Sequence, residues 1–450
     1  MNKKSKNKCK ANSNELTYWK NHILKRYYPL FINKFMNNNN SLFSYTLNTF
    51  KEQINYVGNN TTFLWGSKKL KNSQDNTKKN VQGILKNNQS HENNNEQDLI
   101  GNYIHIVRIE DGFIRSNGLG CKFYYPYSWV FDPIGIYFDP NSPSLLELML
   151  NFIPSYKEQY CNEYRHLIAQ AIELRKFIIN NNISKYSQGF NTKYSSYLYS
   201  LLSNKREDKY FQKNTIYTYD DSHTLPNSIL PTKKLVIFNK TYDLDINTTI
   251  IFIPGQVDND ASILKGGYGY TSYKLLEEVR SKNPEAFIIY KVHPDVVCGR
   301  RNSKNDTTYT KRTNISPLKK LANIVCTNNE SVLSLIDICD EIHTVTSLVG
   351  FDALIRGKKV FTYGMPFYAG WGLTVDKQVS IRRKTKLTID ELVATCLIEY
   401  PLYYNWGDNI SCSAIEACKT LIKGKSKQCK LLYTLSFFFR IYKKIIGLNK

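Results

Sequence analysis

The sequence predicts an α/β protein built on parallel, doubly wound sheets. From Thr248 onward, apolar strand-like runs alternate with helix-like segments, beginning with TTIIFIP and ending with KVFTYG. Such alternation is typical of βαβ units. The run YIHIVRI at 103–109 has the continuous apolar texture of a strand in a parallel sheet. Polar clusters follow four of these strands, and ligands of such sheets gather beyond the carboxyl ends of the strands.

The elements are predicted in order along the chain. In the first half they are an amphipathic helix in LTYWKNHILKRYYPLFINKF, strands in TTFLWG and YIHIVRI, a hairpin in PYSWVFDPIGIYFDP with Asp132 and Asp139 at its strand ends, and helices in SLLELMLNFI and EYRHLIAQAIELRKFIIN. In the second half, strands TTIIFIP, AFIIYKVHP, NIVCTN, EIHTVT and KVFTYG alternate with helices YTSYKLLEEVRSKNP, SPLKKLANI, SVLSLIDIC and LVGFDALIRG.

A chain of 450 residues is too long for one hydrophobic core, so two main domains are expected. The predicted parts are a basic, Asn-rich N-terminal extension (1–60), an α/β domain (61–245) with a flexible insertion (68–102), a second, Rossmann-like α/β domain (246–395), and C-terminal helices with a basic amphipathic tail (396–450). If the two α/β domains face each other, the polar clusters converge on one cleft.

The formal charge of +23 and the pI near 9.4 predict attraction to polyanions, which include nucleic acid, an anionic membrane surface and anionic substrates. The ten cysteines lack the spacing of a zinc site. The sequence contains neither the apolar segment of a secretion signal nor a run long enough to span a membrane. We therefore expect a cytoplasmic protein, and the basic tail KQCKLLYTLSFFFRIYKKIIGLNK suits either a membrane interface or a docked helix.

Asp258 and Asp260, in GQVDNDAS, follow a buried strand. They form a DxD pattern, which holds a divalent cation in one class of glycosyltransferase. A catalytic nucleophile and an ordinary polar turn are the other interpretations. The Gly-rich segment KGGYGYTS that comes next favours a functional site.

Three further clusters carry candidate residues. His293 in KVHPD can donate to a phosphate or transfer a proton, with Lys291 adding charge, although a lone histidine is often structural. Thr346 and Ser347, close to Gly350, suit either a phosphate site or a simple helix cap. The loop YGMPFYAGWGLT is either a tight structural turn or a place where the glycines next to Tyr368 and Trp371 let the backbone approach a sugar or base.

The remaining cluster is EDGFIRS, which offers Glu110, Asp111, Arg115 and Ser116. A structural role in a buried ion pair would explain Glu110 or Asp111 without any part in catalysis. Acid/base catalysis is the functional alternative.

Taken together, the chain resembles the capsule-polysaccharide biosynthesis family, in particular its KpsC-like retaining β-Kdo glycosyltransferases. The resemblance rests on WGSK, RIEDGFIRSNGLG, DPIGIYFD, GQVDNDAS, KVHPDVVCGRR, HTVTSLVGFDALIRGKKV and YGMPFYAGWGLTVD, in this order between about Trp65 and Tyr404. It implies a GT-B-like enzyme with an acceptor-side and a CMP-sugar-binding Rossmann-like domain around a cleft. The donor would be CMP-β-Kdo and the acceptor a Kdo-primed phospholipid.

The resemblance also implies roles for individual residues. Asp260 would be the nucleophile, and Glu110 or the adjacent Asp111 the acid/base. His293, Thr346 and Ser347 would hold the CMP phosphate, with Lys291 adding charge. Arg115, Ser116, Gln256, Gly350 and Tyr368 complete the expected catalytic and substrate-binding set. Because CMP carries one phosphate, we expect no metal ion, and Asp258 is not expected to be a ligand.

The expected partners are the CMP-sugar donor, the anionic glycolipid acceptor and the cytoplasmic face of the inner membrane, with other capsule assembly proteins as a further candidate and nucleic acid excluded. No cofactor besides the donor is expected. The chain carries one set of motifs, whereas members of this type often carry two transferase modules in tandem. A metal-dependent transferase of another sugar and a non-catalytic basic scaffold remain the alternatives.

Overall fold

The computed structural model describes residues 16–36, 40–49, 61–68, 105–118, 123–185, 232–237, 240–297, 316–327, 331–424 and 426–435. The predicted insertion beyond Lys68 lies outside these residues. The chain divides into two compact units, each of which is described by itself. The first unit is Met1–Gln188 with Arg382–Lys450, and the second is Gly189–Ile381.

The elements follow in chain order. Up to residue 245 they are α1 (Tyr18–Met36), α2 (Leu42–Thr49), β1 (Thr61–Trp65), β2 (His105–Asp111), β3 (Ser128–Asp132), α3 (Leu145–Gln159), α4 (Cys161–Asn180), β4 (Thr232–Ile237) and β5 (Lys240–Asp245). The next are β6 (Ile250–Pro254), α5 (Ala261–Gly266), α6 (Ser272–Lys282), β7 (Phe287–Lys291), α7 (Pro294–Val297), α8 (Ser316–Leu321), β8 (Ile324–Cys326), α9 (Val332–Ile338), β9 (Glu341–Thr344), α10 (Leu348–Leu354), β10 (Lys359–Thr362) and β11 (Val375–Asp376). The last are α11 (Ile389–Val393), a π-helical segment (Ala394–Glu399), β12 (Leu402–Asn405), β13 (Ile410–Ser411) and α12 (Ala414–Ile422).

The first unit is built on a mixed five-stranded sheet of order β1-β2-β3-β12-β13. Only β1 and β2 pair in parallel, and β2–β3, β3–β12 and β12–β13 are antiparallel. The predicted hairpin in PYSWVFDPIGIYFDP is wrong, because β3 is its single strand. The Asp132 carboxylate explains the difference: it accepts the backbone N–H groups of Ile134, Gly135 and Leu145, which turns the chain from β3 into α3.

Helix α1 covers the apolar side of this sheet. Its buried residues Ile23, Leu24, Tyr27 and Phe31 pack in one cluster with strand residues that include Trp129. The Tyr27 ring stacks on Trp129 with centroids 5.3 Å apart, and its hydroxyl donates to the Pro126 carbonyl at 2.8 Å. The predicted amphipathic N-terminal helix is therefore confirmed, and its position on the sheet is fixed by aromatic packing and a buried hydrogen bond.

The second unit is built on a six-stranded sheet of order β11-β10-β9-β6-β7-β8, in which every pairing is parallel. This confirms the parallel sheet predicted from the strand-helix alternation. Strands β6 and β7 are buried along their whole length, as their apolar sequences require. The antiparallel β4–β5 hairpin was not predicted, because its strands lie in a stretch rich in polar residues.

The chain returns to the first unit at Arg382. The Glu147 carboxylate on α3 lies 2.5 Å from Arg382 Nε and 3.1 Å from Arg383 Nε, and Glu147 and Arg383 are buried. These ion pairs hold the start of the segment from Arg382 onward against α3. The same segment then forms β12 and β13. The units therefore differ from the predicted domains, which placed the boundaries at 245/246 and 395/396.

In the part of the chain that the structure describes, no helix combines the length and hydropathy needed to cross a membrane. Most of the predicted basic tail, from 436 onward, lies outside the described residues. Its described start carries Leu431 and Leu435 with 69% and 54% of their surface exposed.

Candidate functional site

Glu110 is the penultimate residue of β2 and lies in a narrow space. One carboxylate oxygen accepts the backbone N–H of Asp111 at 3.0 Å. Gly66, in the turn after β1, has φ +56°, and a Cβ there would lie 3.2 Å from the other Glu110 oxygen. Glycine in WGSK therefore allows the turn to take a left-handed conformation beside Glu110.

Burial, together with the neighbouring Asp111 carboxylate, raises the pKa of Glu110 from its ordinary value to about 7. Lys185, the Asp111 backbone N–H and Lys20 act in the opposite direction. Since a group with a pKa near 7 both gives and accepts a proton at neutral pH, this environment suits acid/base chemistry.

Asp111 is held by two donors. Arg115 Nε lies 2.6 Å from one of its oxygens, and Trp129 Nε1 donates to the other at 3.1 Å. Arg115 and Ser116 are themselves buried, and Arg115 also donates to the Ser116 hydroxyl at 2.8 Å. The structure thus brings all four predicted EDGFIRS residues together, with Arg115 bracing Asp111. That Arg115 and Ser116 bind substrate stays a prediction.

In the second unit, Gln256 joins the carboxyl ends of β6 and β9. Its side-chain oxygen accepts the backbone N–H of Thr346 at 2.9 Å, and its amide nitrogen donates to the Thr346 hydroxyl at 3.1 Å. The Thr344 hydroxyl accepts the backbone N–H of Ser347 at 3.1 Å. Adjacent parallel strands bring their carboxyl ends together, which is why residues 90 positions apart meet.

Ser347 caps α10, and Tyr368 lies beneath it. The Ser347 hydroxyl accepts the backbone N–H of Val349 at 3.2 Å, and its carbonyl accepts the Tyr368 hydroxyl at 2.5 Å. Tyr368 is fully buried, and a Cβ on Gly350 would lie 2.2 Å from its hydroxyl oxygen. Tyr368 therefore supports the Thr346–Ser347 turn from below, and a role of this loop in binding substrate stays a prediction. Trp371 is buried as well, with its indole N–H donating to the Phe367 carbonyl.

The aspartates of GQVDNDAS occupy different positions. One Asp258 oxygen accepts the backbone N–H of Ser272 at 3.2 Å, which joins the loop to the start of α6. Asp260 is half-buried just before α5 and accepts a hydrogen bond from the Ser262 hydroxyl at 3.1 Å. Within the described ranges, no three His, Cys, Asp or Glu residues are grouped as a metal site would require.

His293 and Lys291 follow the same edge of the sheet. Lys291 is the last residue of β7, and its carbonyl accepts the backbone N–H of Gly255 at 2.8 Å. The Lys291 side chain is buried, whereas His293 is half-buried two residues beyond the strand. The loops with Asp260 and His293 thus start from adjacent strands, while the predicted convergence of both units' residues on one cleft stays a prediction.

Two features lie outside the predicted set. Lys20 on α1 approaches Glu110, although nothing in LTYWKNHILKRYY distinguishes it from its basic neighbours. In the second unit, a depression of about 610 Å³ is lined by Tyr268, Gly269, Tyr270, Lys274, Glu277, Glu278 and Ser281, none of them a predicted site residue.

Comparison with known proteins identifies the family. The family described as capsule polysaccharide biosynthesis protein matches residues 91–403, well over half of the chain. The chain belongs to this family. Among solved structures, it is similar to the KpsC β Kdo 2,7 transferase of Thermosulfurimonas dismutans, with 28% identity, a TM-score of 0.54, and coverage of 92% of this chain and 99% of that one. It is also similar to the KpsC β Kdo 2,4 transferase of that organism, with 27% identity, a TM-score of 0.53, and coverage of 81% of this chain and 88% of that one.

Two curated relatives are longer than this chain. The capsule polysaccharide modification protein LipA of Neisseria meningitidis serogroup B is 35% identical over 331 residues, which are 72% of this chain and 37% of LipA. The lipopolysaccharide-processing protein LpsZ of Rhizobium meliloti is 34% identical over 303 residues, which are 67% of this chain and 54% of LpsZ. The chain thus spans about a third to a half of their lengths. The α/β architecture and the KpsC neighbours fit the GT-B-like fold that was predicted.

Proposed function

We propose that this protein transfers β-Kdo from CMP-Kdo to a Kdo-primed lipid acceptor with retention of configuration. The observation that carries the proposal is the likeness to the KpsC β Kdo 2,7 transferase over 99% of that chain. The environment of Glu110, with its pKa near 7, supports the same conclusion.

In the first step, an oxygen of the Asp260 carboxylate attacks the anomeric carbon of the donor. The bond from that carbon to the phosphate oxygen breaks, and CMP leaves with the electron pair. The Thr346 and Ser347 hydroxyls and the His293 imidazole hold the CMP phosphate, with Lys291 adding charge. Gln256, Gly350 and Tyr368 keep the Thr346–Ser347 turn in place through the contacts described above.

In the second step, Glu110 accepts the proton of the acceptor hydroxyl, whose oxygen attacks the same carbon and displaces Asp260. Asp111, braced by Arg115 and Trp129, lies beside Glu110 and favours its protonated form. Two successive inversions give overall retention. The proposed chemistry assigns no metal ion and no cofactor besides the donor.

The proposed partners are anionic, as the formal charge of +23 suggests. They are the CMP-sugar, the glycolipid acceptor and the cytoplasmic face of the inner membrane, where other capsule assembly proteins are further candidates. Nucleic acid is not among them.

The test follows the covalent intermediate. With CMP-Kdo and a Kdo-primed lipid, Glu110→Gln should slow transfer by about 10²–10⁴-fold. It should also accumulate protein carrying one Kdo residue in intact-mass spectra. Asp260→Asn should form neither adduct nor product, while the exposed Glu277→Gln serves as the matched control and turns over normally. Normal turnover by Asp260→Asn would refute the mechanism, and activity lost in chelator and restored by manganese would indicate a metal-dependent transferase.

A further inference from the structure

Lys20, on α1, lies outside the residues matched by the family, yet it is placed beside the Glu110 cluster. Its ammonium nitrogen lies 3.1 Å from the centroid of the Trp65 ring. Trp65 packs edge-on against Trp129 with centroids 5.3 Å apart, and Trp129 donates to Asp111. A cation–π contact and an aromatic pair therefore link Lys20 to the end of β2.

The position of Lys20 is determined by the packing of the whole helix. One turn further along α1, Ile23 and Leu24 are buried, and one turn beyond them Tyr27 is fixed by its stacking on Trp129 and by its hydrogen bond to the Pro126 carbonyl. The half-buried Lys20 stem extends from this anchored segment.

Charged groups of both signs surround Lys20 and Glu110. Lys20 faces the carboxylates Glu110 and Asp111 and the cations Lys68 and Arg115, and Glu110 also faces Lys185. Burial lowers the pKa of Lys20 to about 8, although both carboxylates act to raise it. Lys20 therefore carries its charge at neutral pH, next to a carboxyl group that burial favours in the neutral form.

We propose that Lys20 is a positioning residue for Glu110. The ammonium charge of Lys20, held over the Trp65 ring, stabilises the ionised Glu110 carboxylate, which takes the proton from the acceptor hydroxyl. The role in proton transfer rests on the proposed function. The electrostatic pairing itself rests on the placement of the Lys20 ammonium group over the Trp65 ring, whose neighbour Gly66 lies against Glu110. Lys185 also favours the ionised form of Glu110, and Lys20 differs from it in being held against the Trp65 ring.

The kinetic test is the pH profile of kcat/KM for Lys20→Met, Lys20→Arg and the exposed Lys25→Met on the same helix. Lys20→Met should move the acidic limb to higher pH, with a loss of about three- to tenfold on the acid side for a shift of about half to one pKa unit. Lys20→Arg should keep the wild-type midpoint and Lys25→Met should leave the profile unchanged. A uniform loss at every pH would indicate a merely structural role and overturn the proposal.

A second measurement separates this inference from the proposed function. Thermal unfolding of Lys20→Met, Glu110→Gln and the double variant forms a cycle that needs no turnover. We expect coupling at about pH 7.5, where both groups are charged, and its loss near pH 5, where Glu110 is protonated, and near pH 10, where Lys20 is neutral. Additive effects at pH 7.5 would overturn the pairing. If wild-type protein transfers no Kdo but the coupling is present, the proposed function fails and the pairing stands.

Discussion

The backbone N–H of Thr346 donates to the side-chain oxygen of Gln256 at 2.9 Å, which joins two loops that follow adjacent strands of the second unit. Gln256→Leu leaves this N–H and the Thr346 hydroxyl without their partner. We expect the free energy of unfolding to fall by about 1–3 kcal/mol, measured by urea denaturation. We also expect CMP to lose its protective effect on the unfolding temperature.

Thr346→Val is the matched control for that change, because it removes the hydroxyl and keeps the backbone bond to Gln256. A smaller loss of stability is expected. Equal losses in both variants would show that the backbone bond contributes nothing measurable.

Gly350→Ala tests the packing beneath the Ser347 turn. The new Cβ would lie 2.2 Å from the Tyr368 hydroxyl oxygen and 2.8 Å from the ring carbon that bears it, so the ring must move. Overpacking of this kind costs about 1–3 kcal/mol. Combining it with Tyr368→Phe should recover part of the loss, because the closest atom is then absent. Additive losses in the double variant would contradict the proposed clash.

Glu147→Ala should be strongly destabilising. Arg382 and Arg383 would lose their shared carboxylate, and breaking a buried ion pair by removing one member costs about 3–5 kcal/mol. The exposed Glu158→Ala on the same helix is the control and should change stability by less than about 0.5 kcal/mol. The free energy of unfolding of both variants is measured by chemical denaturation. Similar losses in the two variants would refute the structural role of the ion pairs.

The pH dependence of stability should report the environment of Glu110. Because its pKa is raised to about 7, the folded state binds more protons than the unfolded state between about pH 4.5 and 7. The contribution of Glu110 to stability therefore falls as pH rises through this window and levels off above it. Urea denaturation at pH 5 and pH 8 should show Glu110→Gln gaining stability relative to wild type at the higher pH. If the difference in unfolding free energy between Glu110→Gln and wild type is the same at both pH values, the pKa of Glu110 is not raised.

Much of the second unit is predictable from sequence because its signals are local. The buried runs of β6 and β7 can be identified from a few consecutive residues, and a polar loop after a parallel strand points to the functional edge of the sheet. The pairing of Gln256 with Thr346 then follows from strand adjacency, although the adjacency of β6 and β9 itself is a tertiary result.

The first unit is less predictable, since its arrangement depends on long-range pairing. One of the two antiparallel partners of β3 is β12, whose residues lie some 270 positions away, as in the pairing of Trp129 with Leu402. No local pattern specifies such a partner. The same applies to Lys20, whose approach to Glu110 depends on how the aromatic face of α1 packs on the sheet.

The return of the chain at Arg382 also determines how this protein is made. Strand β3 can pair with β12 only after the whole second unit has been synthesised. The second unit can therefore fold during synthesis, before the sheet of the first unit has its last strands. Nascent chains stalled before residue 400 should therefore present the unpaired edge of β3 to chaperones.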